Sequence, residues 1–308
     1  MLSVRFWGVR GSMPCPGPDT FVYGGNTACL EIRAHNRESL ECRMAIIDCG
    51  TGIRPLGDKL LSGDYWKGPV NADIFITHTH WDHIMGFPMF AHLYVPETKL
   101  RIRGPVSTDE DTLESIIGTQ LSYRFWPVRQ SELAANIEYD QIKETTLELG
   151  DGFNVKTKYL NHPILCMGYK FEYQGKTIVT AYDHEPFRNI FPSNPIDPGY
   201  DEDAAREGEL AAVEENAKVD NFFRGADILI HDAQYTEGEF KKHLGWGHSS
   251  YEQALGAVRR TGIKKIIFFH HDPNRTDKQL EDLEKNYQGA AGSDTEIIMA
   301  REGLLIEL

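Results

Sequence analysis

The chain has 308 residues, 41% of them hydrophobic and 11% aromatic, which is enough apolar side chain for a sizeable core in two ordinary domains or one large layered domain. A formal charge of −14, from 46 acidic against 32 basic residues, argues against a protein that grips long nucleic acid by neutralising many phosphates. It leaves room for a small anionic substrate, because bound cations invert the local field of one pocket.

Taken in chain order, apolar β-branched runs predict strands at Val4 to Val9, Ala28 to Arg33, Met44 to Ile47, Asp73 to Thr77, Leu100 to Arg103, Phe153 to Leu160, Tyr169 to Tyr173, Thr177 to Ala181, Ile228 to His231 and Ile266 to Phe269. Ser249-Ser-Tyr-Glu252 reads as a capping box opening a helix through Val258, and Thr276 with Gln279 opens another. Gln174-Gly175 and Glu302-Gly303 punctuate two expected hairpins. Strands and helices interleave with no linker, so residues 1–308 are expected to form a single α/β domain. The stretch 186–220, with Pro192, Pro195 and Pro198 followed by an acidic, Ala-rich pattern, reads as an acidic surface insertion, or more plainly as a solvated helix.

The longest apolar runs, such as Ile266 to Phe269, are far too short to span a bilayer, and Met1-Leu2-Ser3-Val4-Arg5 has no signal-type core, so no membrane association is expected. Five cysteines (Cys15, Cys29, Cys42, Cys49, Cys166) at irregular spacings suggest neither a disulfide framework nor a thiolate zinc site. A cytoplasmic location fits that usage. Oligomeric state is open, a homo-oligomer included.

After the strand ending at Thr77 comes His78-Thr-His80-Trp-Asp82-His83. Imidazoles two residues apart at a strand end point to the same side, and the following turn lets Asp82 and His83 face a second cation nearby. These nitrogen and oxygen donors suit Zn²⁺, Mn²⁺ or Fe. The motif resembles the signature of the metallo-β-lactamase superfamily, and later motifs follow in that family's order: Asp48 in Ile46-Ile-Asp-Cys-Gly-Thr-Gly52, then His162, Asp183 and His270. The resemblance implies a four-layer αββα sandwich with two divalent metal ions at one edge. It implies that His78, His80 and His162 hold one metal, Asp82, His83 and His270 the other, with Asp183 between them and Asp48 supporting from behind. His270 is preferred over its neighbour His271, which would then be a supporting or substrate group.

That core serves β-lactams, thioesters, lactones and phosphodiesters through a hydroxide shared between the metals, so the fold does not name the substrate. Leu229-Ile-His-Asp-Ala-Gln234 and Gly247-His-Ser-Ser-Tyr251 resemble two motifs of the ribonuclease Z branch, in which a carboxylate orients a histidine that protonates the leaving alkoxide. The resemblance makes His248 the general acid and Asp232 its partner, with Gln234 standing where the branch has threonine; Asp82 counts with these catalytic residues as well as with the ligands. The plain alternatives are an N-cap neighbour for His248 and a strand-end cap for Asp232. His231 joins the pair as a supporting candidate. Trp7-Gly-Val-Arg-Gly-Ser12 and Gly24-Gly-Asn-Thr27, with Asn26, look like the loop pair that approaches the metals, and Tyr123-Arg-Phe-Trp-Pro127 offers Arg124 and its aromatics to a base at the pocket mouth. The chain lacks the Gly/Pro/Lys-rich arm by which ribonuclease Z holds transfer RNA. The expectation is therefore a dinuclear phosphodiesterase for a small phosphodiester, such as a cyclic nucleotide or cyclic dinucleotide, with no long nucleic acid as partner. The rivals are a carboxylic-ester or lactone hydrolase on the same metals and a metal-dependent ligand sensor without turnover.

Overall fold

The computed structural model describes residues 1–36, 42–63, 68–105, 111–290, 292 and 294–308. Among the described residues, fourteen strands form two sheets of seven. The first contains β1 (Leu2–Gly8), β2 (Cys29–His35), β3 (Cys42–Ile47), β4 (Asn71–Phe75), β5 (Lys99–Gly104), β6 (Asn136–Gln141) and β14 (Leu305–Glu307), in the order β14-β1-β2-β3-β4-β5-β6. The second contains β7 (Thr146–Glu148), β8 (Asn154–Leu160), β9 (Cys166–Tyr173), β10 (Lys176–Ala181), β11 (Ile228–Asp232), β12 (Lys265–Phe269) and β13 (Glu296–Met299), in the order β13-β12-β11-β10-β9-β8-β7. The helices are α1 (Ile53–Ser62), α2 (Trp81–Ile84), α3 (Leu113–Thr119), α4 (Glu202–Phe223), α5 (Glu237–Phe240), α6 (Tyr251–Thr261) and α7 (Asp277–Tyr287).

Strand alternation assembles the layers. In β12, Ile267 and Phe269 enter the core between the two sheets, while Ile266 and Phe268 enter a second core beneath α4, α6 and α7. On the first sheet, Ile47 faces inward and Ile46 faces a third core that includes Ile53, Leu56 and Leu60 of α1. The result is the expected αββα sandwich. Its centre is aromatic: Phe269 stacks on Tyr182 at 4.4 Å between centroids and meets Phe6 at 6.1 Å. Truncating Phe269 to alanine would cost about 3–5 kcal/mol through lost transfer energy and a cavity directly below His270.

Two local expectations change. Helix α6 begins one residue later than the Ser249 box implies: Ser250 caps it with Gln253, and the buried Ser249 instead donates its hydroxyl to the His184 carbonyl and its N–H to Asp232. Glu302-Gly303 turns the chain but makes no hairpin, because β13 belongs to the second sheet and β14 to the first. Within 186–220, α4 is capped by Asp201 and buries Val219 and Phe223 against the second sheet's outer core while its N-terminal half stays largely exposed. No helix among the described residues is long and apolar enough to cross a membrane.

Candidate metal centre and active site

Strands β3 and β4 are parallel, as are β10, β11 and β12, so their carboxyl ends open at one edge of the sandwich. Asp48, His78, Asp183, Asp232 and His270 stand at those ends, and His162 follows β8. Asp48 (φ 60°), Asp183 (φ 42°) and His270 (φ 60°) adopt left-handed backbone that disfavours side chains. Such strain persists only where the surroundings impose it, and it concentrates at functional sites.

Two ligand sets converge there. In the first, His80 Nδ1 lies 3.0 Å from His78 Nε2 and 3.1 Å from His162 Nε2, and Asp183 Oδ2 lies 3.4 Å and 3.9 Å from His78 and His162. In the second, His270 Nε2 is 3.1 Å from Asp82 Oδ2, 3.3 Å from His83 Nε2 and 3.2 Å from Asp183 Oδ1. Donors bound tetrahedrally at 2.0–2.1 Å from one cation stand about 3.3–3.4 Å apart. The two sets bracket that spacing, and Asp183 supplies an oxygen to each. Its Oδ1 is buried, and no hydrogen-bond donor among the described residues satisfies it. These residues fit two divalent cations.

The electrostatics agree. Burial, reinforced by His83 and the neighbouring imidazoles, pushes the His78 ring well below its ordinary pKa, and burial brings His162 to about 4, so both stay neutral and free to ligate. Burial works against a charged His83, yet Asp183, Asp82 and Asp48 around it drive its pKa far up. Three carboxylates gathered on one imidazole need positive charge, which a proton supplies here and a cation supplies in a loaded site.

His83, His162 and His270 are each turned by a partner on the other ring nitrogen. His83 Nδ1 donates to Asp48 Oδ2 at 2.7 Å, and Asp48 is itself fixed by the Thr77 N–H (2.7 Å) and hydroxyl (2.8 Å). His162 Nδ1 donates to the Gly247 carbonyl at 2.9 Å, and His270 Nδ1 donates to Gln234 Oε1 at 3.3 Å. Such partners fix which nitrogen faces the metal. Gly247 itself is gripped by the buried Glu185, whose carboxylate accepts from the N–H groups of Gly245 and Gly247. Two glycines have no substitute: a Cβ at Gly11 would clash with the His270 ring at 2.3 Å, and one at Gly247, at φ 84°, with His162 at 2.2 Å.

Between the two sets sits His248. Its ring stacks on His270 at 5.0 Å and lies 5.5 Å from His162, and its Nδ1 donates to Asp232 Oδ2 at 3.0 Å. Burial disfavours its charge, but Asp232, with Asp183 and Asp82 beyond, raises the pKa to about 9. The ring therefore favours its protonated form at neutral pH.

Other sequence-derived candidates fall elsewhere. His271, next to His270 on the alternating strand end, turns away and donates to the Ala300 carbonyl. The Asn26 side chain is tied to Glu302, and His231 donates to the Asp232 carbonyl and packs against Phe223 and His184 beneath the site. Arg124 lines a groove of about 800 Å³ with Tyr123, Arg129 and Tyr139 beside the edge strand β6, and none of the ligands lines it. The Gly11-Ser12 turn does reach the centre, but the Ser12 N–H meets Asp82 Oδ2 at 2.7 Å rather than being left for phosphate. Sequence reasoning missed Thr77, Glu185 and the role of Gln234; a polar residue beside each ligand motif was the only available signal.

No family model matches the chain. It is 28% identical to ribonuclease Z of Streptococcus pneumoniae (strain CGSP14), an alignment covering 85% of this chain and 92% of that one. Among solved structures it is similar to the metallo-β-lactamase fold protein YhfI of Bacillus subtilis, with a TM-score of 0.65 at 16% identity, covering 100% of this chain and 99% of that one. The chain is a metallo-β-lactamase-fold protein. The short form of human tRNase Z has the same fold, at a TM-score of 0.60 and 19% identity, with 99% and 98% of the two chains covered. Fold, ribonuclease Z similarity and paired ligand sets together make this metallo-β-lactamase-fold chain a metal-dependent phosphodiester hydrolase.

Proposed function

We propose that this hydrolase cleaves a small phosphodiester, with cyclic nucleotides and cyclic dinucleotides as the first class to test, and that His248 is its general acid. The observation that carries the reading is the placement of His248 between the two ligand sets, braced by Asp232. Two divalent cations, zinc or manganese or iron, would be held by His78, His80 and His162, by Asp82, His83 and His270, and by Asp183 between them; when bound they polarise the phosphoryl group and acidify a water. Asp232 keeps the proton on His248 Nδ1, which leaves Nε2 to carry the proton given to the departing oxygen. An alkoxide leaves phosphorus poorly without that proton, and a positioned acid contributes about 10²–10⁴-fold. This accounts for the His248–Asp232 pair better than a carboxylic-ester, lactone or non-catalytic reading does.

Small size of substrate is supported by charge: the chain carries −14 and offers no basic arm. The similarity to ribonuclease Z keeps RNA as the competing substrate. We would compare kcat/KM on cyclic mononucleotides, cyclic dinucleotides, linear dinucleotides and a precursor transfer RNA between about 50 and 200 mM salt, where multi-phosphate binding weakens most. Small diesters should be favoured with little salt dependence. Faster, steeply salt-dependent cleavage of the transfer RNA would replace this reading with RNA processing.

A further inference from the structure

A recess of about 250 Å³ opens directly beside the ligand His162, walled by Pro163, Phe187, Arg188, Ile190 and Gly245. Whole small-molecule ligands occupy roughly 300–1,000 Å³, so this space suits one substituent rather than an entire substrate. Its walls are mainly apolar. Ile190 is 76% exposed, an unusual position for a large aliphatic side chain, while Phe187 is half-buried and meets His184 edge-on at 6.4 Å. The residues beside the lining in sequence, Ile164, Leu165, Leu244 and Trp246, are exposed apolar side chains as well. The one cation of the lining, Arg188, is already offset by the buried Glu185 at 3.4 Å, so the recess has no surplus charge for a second phosphate. Glu185 also binds the 245–247 turn that holds His162, which ties the wall of the recess to the metal centre.

We propose that this recess is a specificity subsite that seats one planar, uncharged ring substituent of the phosphodiester, such as a nucleobase or aryl group, against Phe187 and Ile190. The assignment rests on the phosphodiesterase reading. A ring seated there exchanges water contact for apolar and stacking contact while its phosphate stays at the metals, and such stacking changes affinity by about tenfold or more per ring.

The test uses the zinc-loaded full chain and ligand-observed NMR, which gives dissociation constants without turnover, for dimethyl, methyl phenyl and diphenyl phosphate. Methyl phenyl phosphate should bind about tenfold more tightly than dimethyl phosphate, and diphenyl phosphate should add little, since there is one seat. Phe187→Ala, and the exposed Ile190→Asp should the first disturb folding, should remove the phenyl advantage and leave dimethyl phosphate unchanged. Equal binding of the dimethyl and methyl phenyl esters, or a phenyl advantage that survives both variants, overturns the subsite. Turnover of bis(p-nitrophenyl) phosphate is measured alongside: its absence overturns the phosphodiesterase reading and this assignment with it, whereas turnover without a phenyl advantage overturns the recess alone.

Discussion

Asp232 holds His248 with the same oxygen that ties down its surroundings: Oδ2 accepts from His248 Nδ1 at 3.0 Å, from the Ser249 N–H at 3.1 Å and from the His184 N–H at 3.2 Å. An aspartate so anchored cannot follow a drifting imidazole, so His248 is fixed in both place and tautomer. The backbone of two loops is brought to this carboxylate.

Replacing the acid should separate leaving groups. His248→Ala is expected to slow alkyl phosphodiester hydrolysis by about 10²–10⁴-fold and to spare p-nitrophenyl diesters, whose phenolate departs unaided. Asp232→Asn should show the same selectivity, since an amide presents the wrong partner to Nδ1. Equal losses on both ester types would assign the pair to binding or structure.

Metal content should split by ligand set. The loaded protein is expected to hold close to two transition-metal ions per chain, and Asp82→Ala should lose the ion of the second set while His78, His80 and His162 retain theirs. Elemental analysis with circular dichroism checks this. No uptake after chelation and refilling would refute the paired-cation centre.

Glu185 should matter although it touches no ligand. In Glu185→Ala the buried Gly247 N–H loses its acceptor, at about 1–3 kcal/mol, whereas the exposed Gly245 N–H can turn to water. Denaturant unfolding reads that loss. Because Gly247 O positions His162, occupancy of the first metal should fall as well, and retention of both ions with unchanged stability would contradict the role.

Acid should weaken the pairing of α5 with the segment that precedes α7. Glu239 pairs with Arg275 and caps α5 through Thr236; burial opposes its charge, but Arg275 and those hydrogen bonds bring its pKa down to about 2. A carboxyl lowered from about 4.3 in the unfolded chain stabilises fully above that value and loses the contribution as pH falls toward 2. Unfolding midpoints measured between pH 6 and 2 should show a smaller acid loss in Glu239→Gln than in the parent; identical slopes would show that the pair does not contribute.

What the sequence determined, through local spacing and the family resemblance together, was a candidate ligand inventory and the sandwich. His78 to His83 lie within one short segment after a strand, and Asp183, Asp232 and His270 each end an apolar run, so local spacing alone places donors at strand ends. The tertiary structure decided which atoms face inward. His270 and His271 are chemically equal neighbours, and only the packing of Gly11 and Gln234 on one side and Ala300 on the other decides which of them joins the candidate ligand cluster. A loop motif drew Asn26 toward the site and an aromatic run drew Arg124, but Glu302 claims the first and the groove beside β6 the second. Glu302-Gly303 has hairpin chemistry, yet its strands join different sheets, because a turn fixes local direction and not the partner a strand finds. Glu185 acts on a loop sixty residues away. Contacts of that range leave no periodicity or spacing in the sequence, because they exist only once the two sheets have packed.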